Sequence, residues 1–216
     1  MNELLFYSTN KKVPKVSLKE ALLIGQAPDK GLYMPERIEK ISLEEIISFK
    51  DKPYFEIAYH VLRRFTKGVI PDDILLQLCE ECYNYDVPLE RIFDNNYIMR
   101  LDRGPTASFK DFAARMMARM MRYFLEQEKS ELVILTATSG DTGSAVSHAF
   151  YNVDRIQMVV LFPIKEVSVR QRKQMTTLGA NVTVIAVEGK FDDCQAMVKR
   201  AFADSQLQKI RFSSAN

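Results

Sequence analysis

Leu132-Val-Ile-Leu-Thr-Ala-Thr-Ser-Gly-Asp-Thr-Gly-Ser144 passes from a continuous apolar run into a turn of small hydroxyl residues and two glycines, then into a helical pattern. Leu132–Thr136 reads as a buried strand and Thr142–Tyr151 as the helix that follows it. The alternation continues downstream. Ile156–Phe162 is a strand, Ser168–Leu178 a helix, Asn181–Val187 a strand, Asp192–Phe202 a helix and Lys209–Ser213 a last short strand. Apolar strands with helices between them imply a parallel sheet covered on both faces. The expected fold class is α/β. In such sheets ligands bind at the carboxyl edge of the strands, where the helices begin. Here that edge is the turn itself. It aims backbone N–H groups and the positive end of a helix at one spot, which suits a carboxylate or a phosphate.

Taken alone, the turn is equally read as a plain strand-to-helix connection; the other chemical readings of it fail. No Gly-Lys-Ser/Thr follows it, as a nucleotide-binding P-loop needs, and it is no GxGxxG dinucleotide turn. Asp141-Thr-Gly-Ser144 spells the tetrapeptide of aspartic proteases, but that chemistry needs two aspartates sharing a proton, and the chain has no second copy.

Upstream lies Leu101-Asp-Arg-Gly-Pro-Thr-Ala-Ser-Phe-Lys-Asp111. Gly104-Pro105 breaks the backbone, and Ser108 offers an N-cap hydroxyl to a helix starting around Lys110. Phe112, Met116, Met120 and Phe124 recur every four residues beside Ala113, Met117, Met121 and Leu125, with Arg115, Arg119, Arg122 and Glu126 on the expected wet side. Lys110 falls in the first turn, where the helix dipole opposes a cation by about 0.3–1 kcal/mol. A site unfavourable to an ammonium favours the neutral amine, a nucleophile towards carbonyls. The plain alternative is a solvated lysine beside Asp111.

The first ninety or so residues are helical in pattern, over Val16–Leu23, Leu43–Phe49, Phe55–Phe65 and Asp72–Tyr83, with Tyr97–Leu101 a short strand leading out. Cys79-Glu-Glu-Cys82 has CxxC spacing but lacks a second nearby ligand pair. Its thiols share helical spacing with Leu75 and Leu78, as small core residues do. A net charge of +2 over 216 residues gives no basis for nucleic acid or an anionic membrane as partner. No apolar run approaches the roughly 18 residues of a membrane span, and the N-terminus lacks the parts of a secretory signal. Three cysteines fit no disulfide framework, so the expected compartment is cytoplasmic.

Several segments, taken in order, resemble the threonine synthases, fold-type II pyridoxal-phosphate enzymes. They are Gly104-Pro-Thr-Ala-Ser-Phe-Lys-Asp-Phe112, Ala137-Thr-Ser-Gly-Asp-Thr-Gly143, Gln171-Arg-Lys-Gln-Met175, Val187-Glu-Gly-Lys-Phe-Asp-Asp-Cys-Gln-Ala196 and Ser213-Ser-Ala-Asn216. Ala27-Pro-Asp-Lys-Gly-Leu-Tyr-Met-Pro35 resembles the family's helical N-terminal lobe. The resemblance implies a fold-type II sheet, pyridoxal 5'-phosphate as cofactor, no metal, and conversion of O-phosphohomoserine and water to L-threonine and phosphate. Lys110 matches the Schiff-base lysine. Thr138, Ser139, Gly140, Asp141 and Thr142 match the loop that holds the substrate α-carboxylate. Asp141 also stands where related enzymes often have an asparagine on the cofactor's phenolic oxygen. Ser214 and Asn216 fall in the segment bordering the substrate phosphate.

The sequence departs from the family pattern at Asp102-Arg103, where many relatives read Phe-His, at Ser108 in place of a common alanine, and at Tyr7–Asn10, which lacks a frequent arginine. The eight glycines include no cluster that would cup the cofactor phosphate. The expected organisation is a helical lobe over residues 1–95 and an α/β catalytic domain over 96–216 that is incomplete at its C-terminus. Two alternatives stand beside the synthase: a phospho-lyase of the same family, and a non-catalytic fragment lacking the phosphate cup. An exposed sheet edge would favour a homo-oligomer.

Overall fold

From residue 132 onward strand, turn and helix follow one another as the apolar pattern dictates. The structure, a computed structural model, describes residues 3–207 and 209–215. The chain forms two compact units, Met1–Pro88 and Leu89–Asn216.

In the first unit, β1 (Phe6–Ser8) pairs antiparallel with β2 (Tyr33–Pro35), and α1 (Leu18–Ile24) lies between them in sequence. Ser17 and Glu20 close a reciprocal capping box at the start of α1. Leu4, Phe6 and Leu18 form a small core with Val16, Leu22, Tyr33 and Phe65. The β1–β2 ribbon is a correction to the purely helical expectation, because three-residue strands are too short to show an alternating pattern. α2 (Leu43–Ser48) follows, then α3 (Tyr54–Thr66) and α4 (Asp72–Cys82), which pack on each other. Leu75, Leu78, Cys79 and Cys82 form the buried face of α4, and burial pushes the Cys79 thiol up to about 12. A thiol so raised stays protonated and unreactive near neutral pH.

The second unit opens with a hairpin of β3 (Leu89–Phe93) and β4 (Asn96–Met99). Its second strand lies close to the segment expected around Tyr97–Leu101; its first was not legible. Then come α5 (Lys110–Glu128), β5 (Leu132–Ala137), α6 (Asp141–Phe150), β6 (Ile156–Pro163), α7 (Val169–Thr176), β7 (Val182–Val187), α8 (Phe191–Ala203) and β8 (Phe212–Ser213). The last four strands form one parallel sheet in the order β7-β6-β5-β8, so the α/β architecture holds. Successive side chains of a strand alternate between faces. Leu135, Ala137, Val159 and Leu161 therefore meet Cys194 and Val198 of α8 on one side. Ile134, Thr136, Met158 and Val160 point to the other side, where α5 packs on α6 and α6 on α7. β7 is an edge strand and leaves Thr183, Ile185 and Ala186 exposed, although its sequence is as apolar as that of β6.

One face of α5 differs from expectation. Arg115 is buried and Arg119 half-buried, and Arg119 Nη1 donates to the Ala149 carbonyl of α6 at 3.0 Å. Ala113, placed with the apolar row, is exposed. The guanidinium side of α5 lies against α6, so a side that reads as wet is covered. Among the described residues no helix is long and apolar enough to cross a membrane.

Candidate active site

The segment before α5 is held by one carboxylate. Asp111 is fully buried, and Thr106 donates to it twice, from its backbone N to Oδ2 at 2.9 Å and from Oγ1 to Oδ1 at 2.7 Å. A Cβ on Gly104 would lie 2.4 Å from Asp111 Oδ2, so that glycine lets the chain pass against the carboxylate. Asp111 thus does the work expected of Ser108. The Ser108 hydroxyl only accepts from the Lys110 N–H at 3.3 Å, and Phe109, in helical conformation, is the N-cap. Lys110 is the first residue of α5 and half-exposed, with Nζ 4.5 Å from the centroid of the Phe109 ring. Among the described residues its ammonium has no carboxylate partner.

The turn after β5 is built around Thr138. Its buried hydroxyl oxygen accepts from the N–H of Gly140 at 3.0 Å and of Gly143 at 2.7 Å, while its own N–H donates to the Leu161 carbonyl of β6. Gly140, with φ +142, turns the chain into α6, and Ser144 N donates to its carbonyl at 3.0 Å. The N–H groups of Ser139, Asp141 and Thr142 have no acceptor among the described residues. They sit at the positive end of α6, an arrangement chemically suited to a carboxylate or phosphate.

Gly143 has no room for a side chain. A Cβ there would meet Thr138 Cγ2 at 2.3 Å and Met175 Sδ at 2.7 Å. Gly143→Ala is expected to cost about 1–3 kcal/mol through overpacking, read as a fall in the urea midpoint, and to open the Thr138 hydroxyl cradle with it.

α7 reaches both segments. Gln171 Nε2 donates to Asp141 Oδ1 at 2.7 Å, and Gln174 Nε2 donates to the Thr106 carbonyl at 3.4 Å. The Ser168-x-x-Gln171 spacing marks a capping box, which is present at the start of α7. The reach of Gln171 across to Asp141, thirty residues earlier, had no signal in the sequence. Ser214 is half-buried just after β8, and β8 runs parallel to β5, so it heads for the edge that carries Thr138. Asn216 lies outside the described residues.

His148 on α6 titrates low. Partial desolvation is the main cause; Asp111 opposes it, and Arg115 and Arg119 add to it. A histidine depressed in the folded state favours the neutral form. Its contribution to stability is complete above the unfolded value of about 6.5 and is lost as pH falls below it. His148→Gln should remove this component from the decline in melting temperature between pH 7 and pH 5, measured by calorimetry at several pH values.

Comparison with known proteins gives the family. Residues 5–83 match the family described as threonine synthase N terminus, and residues 87–211 match the pyridoxal-phosphate dependent enzyme family. A threonine synthase of Pseudomonas aeruginosa is 41% identical over 210 residues, covering 94% of this chain and 45% of that protein. One from Escherichia coli K12 is 35% identical, covering 97% of this chain and 49% of its own length. The crystal structure of pyridoxal-phosphate-bound threonine synthase from Brucella melitensis superposes with a TM-score of 0.92 at 37% identity, over 99% of this chain and 48% of that one. The chain spans about half the length of the curated relatives it matches.

Proposed function

We propose, from the premise that this chain belongs to the pyridoxal-phosphate dependent enzyme family and carries the N-terminal domain of threonine synthases, that it supplies the reactive amine and the carboxylate site of a threonine synthase. The reaction is conversion of O-phosphohomoserine and water to L-threonine and phosphate, in the cytosol. The observation that carries this reading is the pairing of an uncompensated first-turn amine, Lys110, with a turn offering three open N–H groups in the same unit.

The residues present fit the cofactor. Lys110 can hold it through its amine, which no carboxylate neutralises among the described residues. When bound, pyridoxal phosphate supplies an electron sink for charge that develops at the substrate Cα. The chain's own groups do the rest. The N–H groups of Ser139, Asp141 and Thr142 bind the substrate carboxylate and so orient the Cα–H bond towards the lysine. The Lys110 amine, once free, takes protons from Cα and then Cβ; phosphate leaves Cγ with the second proton of the water, a proton is returned to Cγ, the water's hydroxyl adds at Cβ, and a proton is returned to Cα. Thr138 keeps the turn rigid by accepting from two of its N–H groups, so binding the carboxylate requires no rearrangement there.

The test is to mix the purified chain with pyridoxal phosphate, reduce with borohydride and map the modified peptide by mass spectrometry. The expected label lies on Lys110. Labelling spread over exposed lysines such as Lys50 and Lys199 would sink the assignment.

A further inference from the structure

We propose that Gln171 is a positioning residue for the carboxylate turn: its amide holds the Asp141 carboxylate away from the open N–H groups of Ser139, Asp141 and Thr142. This rests on reading Thr138–Thr142 as the seat of the substrate carboxylate.

Asp141 is exposed and begins α6, so its carboxylate stands beside the very donors an incoming anion would use. An aspartate in the first turn is drawn to unbonded N–H groups and to the helix dipole. Left free, it competes for them at the high effective concentration of a tethered group. The contact with Gln171 prevents this, at 2.7 Å from Nε2 to Oδ1. The orientation of the amide is settled at its other end. Gln171 Oε1 accepts from Ser168 N at 3.1 Å and from Ser168 Oγ at 2.8 Å, so only the nitrogen remains to face Asp141. The amide reaches that place because Gly140 has no side chain; a Cβ there would lie 2.4 Å from Gln171 Nε2. Ser168, Gln171 and Asp141 thus form a relay from the start of α7 to the start of α6.

The substitution Gln171→Glu separates the relay from the helix cap. A glutamate keeps the acceptor that the capping box needs. It loses the donor to Asp141 and sets a second carboxylate against the first, which drives Asp141 onto the turn. Hydrogen exchange is measured on the cofactor-free chain, and L-threonine is titrated into the pyridoxal-phosphate-loaded protein and followed by cofactor absorbance. Exchange at residues 139–142 should slow several-fold in Q171E at an unchanged melting temperature. The dissociation constant for L-threonine should rise about tenfold, the scale of one charge-assisted contact. Adding Asp141→Asn, which removes the competing charge, should restore most of both. Unchanged exchange and unchanged L-threonine binding in folded Q171E would overturn the proposal, as would losses that Asp141→Asn does not relieve. If the protein takes up no cofactor at Lys110, the threonine-synthase reading fails on its own, and the exchange measurement still reads the hold of Gln171 on Asp141.

Discussion

Lys110→Ala is expected to leave the chain folded and to abolish the borohydride-fixed cofactor label. Both halves of that result follow from where the lysine sits. The α5 dipole disfavours its ammonium by about 0.3–1 kcal/mol, and the Phe109 ring at 4.5 Å returns about 0.5–1 kcal/mol. These nearly cancel, and the side chain is half-exposed and makes no ion pair among the described residues, so the melting temperature should move little. The covalent label has no such substitute. A guanidinium does not form the adduct, so Lys110→Arg keeps the charge and should lose the label just as fully. Mass spectrometry of the reduced protein, wild type against both variants, reads the outcome. A label of undiminished yield on K110A would move the reactive amine elsewhere.

Asp111→Ala should give the largest loss of stability, about 3 kcal/mol or more, the usual cost of breaking a buried charged network. Thr106 would lose the acceptor for both its N–H and its hydroxyl, and the space beside Gly104 would be left empty. Each orphaned buried donor costs about 1–3 kcal/mol. Asp111→Asn should recover part of the loss, because an amide keeps one acceptor for Thr106 but not two. Urea denaturation compares the three. This carboxylate anchors the segment carrying Lys110, so D111A should also scatter the cofactor label. If D111A matched wild type in urea midpoint, Asp111 would not be the residue that holds the segment.

Much of the second unit was legible because β5, β6 and β7 are largely apolar runs of six to eight residues and its helices carry a clear period. The first unit's ribbon was not, since three residues on each side give no repeat. Arg115 misled for a different reason. Charge predicts exposure only where no neighbour covers the face, and α6 covers this one. β7 misled in the opposite sense, being apolar but for Thr183 yet half-open at the sheet edge.

At the site the division is similar. Sequence alone was enough for the order strand–turn–helix, the glycines that let the turn form, and the lysine in the first turn of a helix that opposes its charge. These are local properties of residue type and spacing, which act on the backbone within a few positions. Packing in three dimensions was needed to make Asp111 rather than Ser108 hold the lysine segment, and to carry Gln171 and Gln174 of α7 to Asp141 and Thr106. Those bonds join residues as far apart as sixty-eight positions. Their partners meet because the parallel sheet of the second unit brings the helix starts around it to one edge, and no pattern along the chain records which side chains then come within hydrogen-bonding distance of each other.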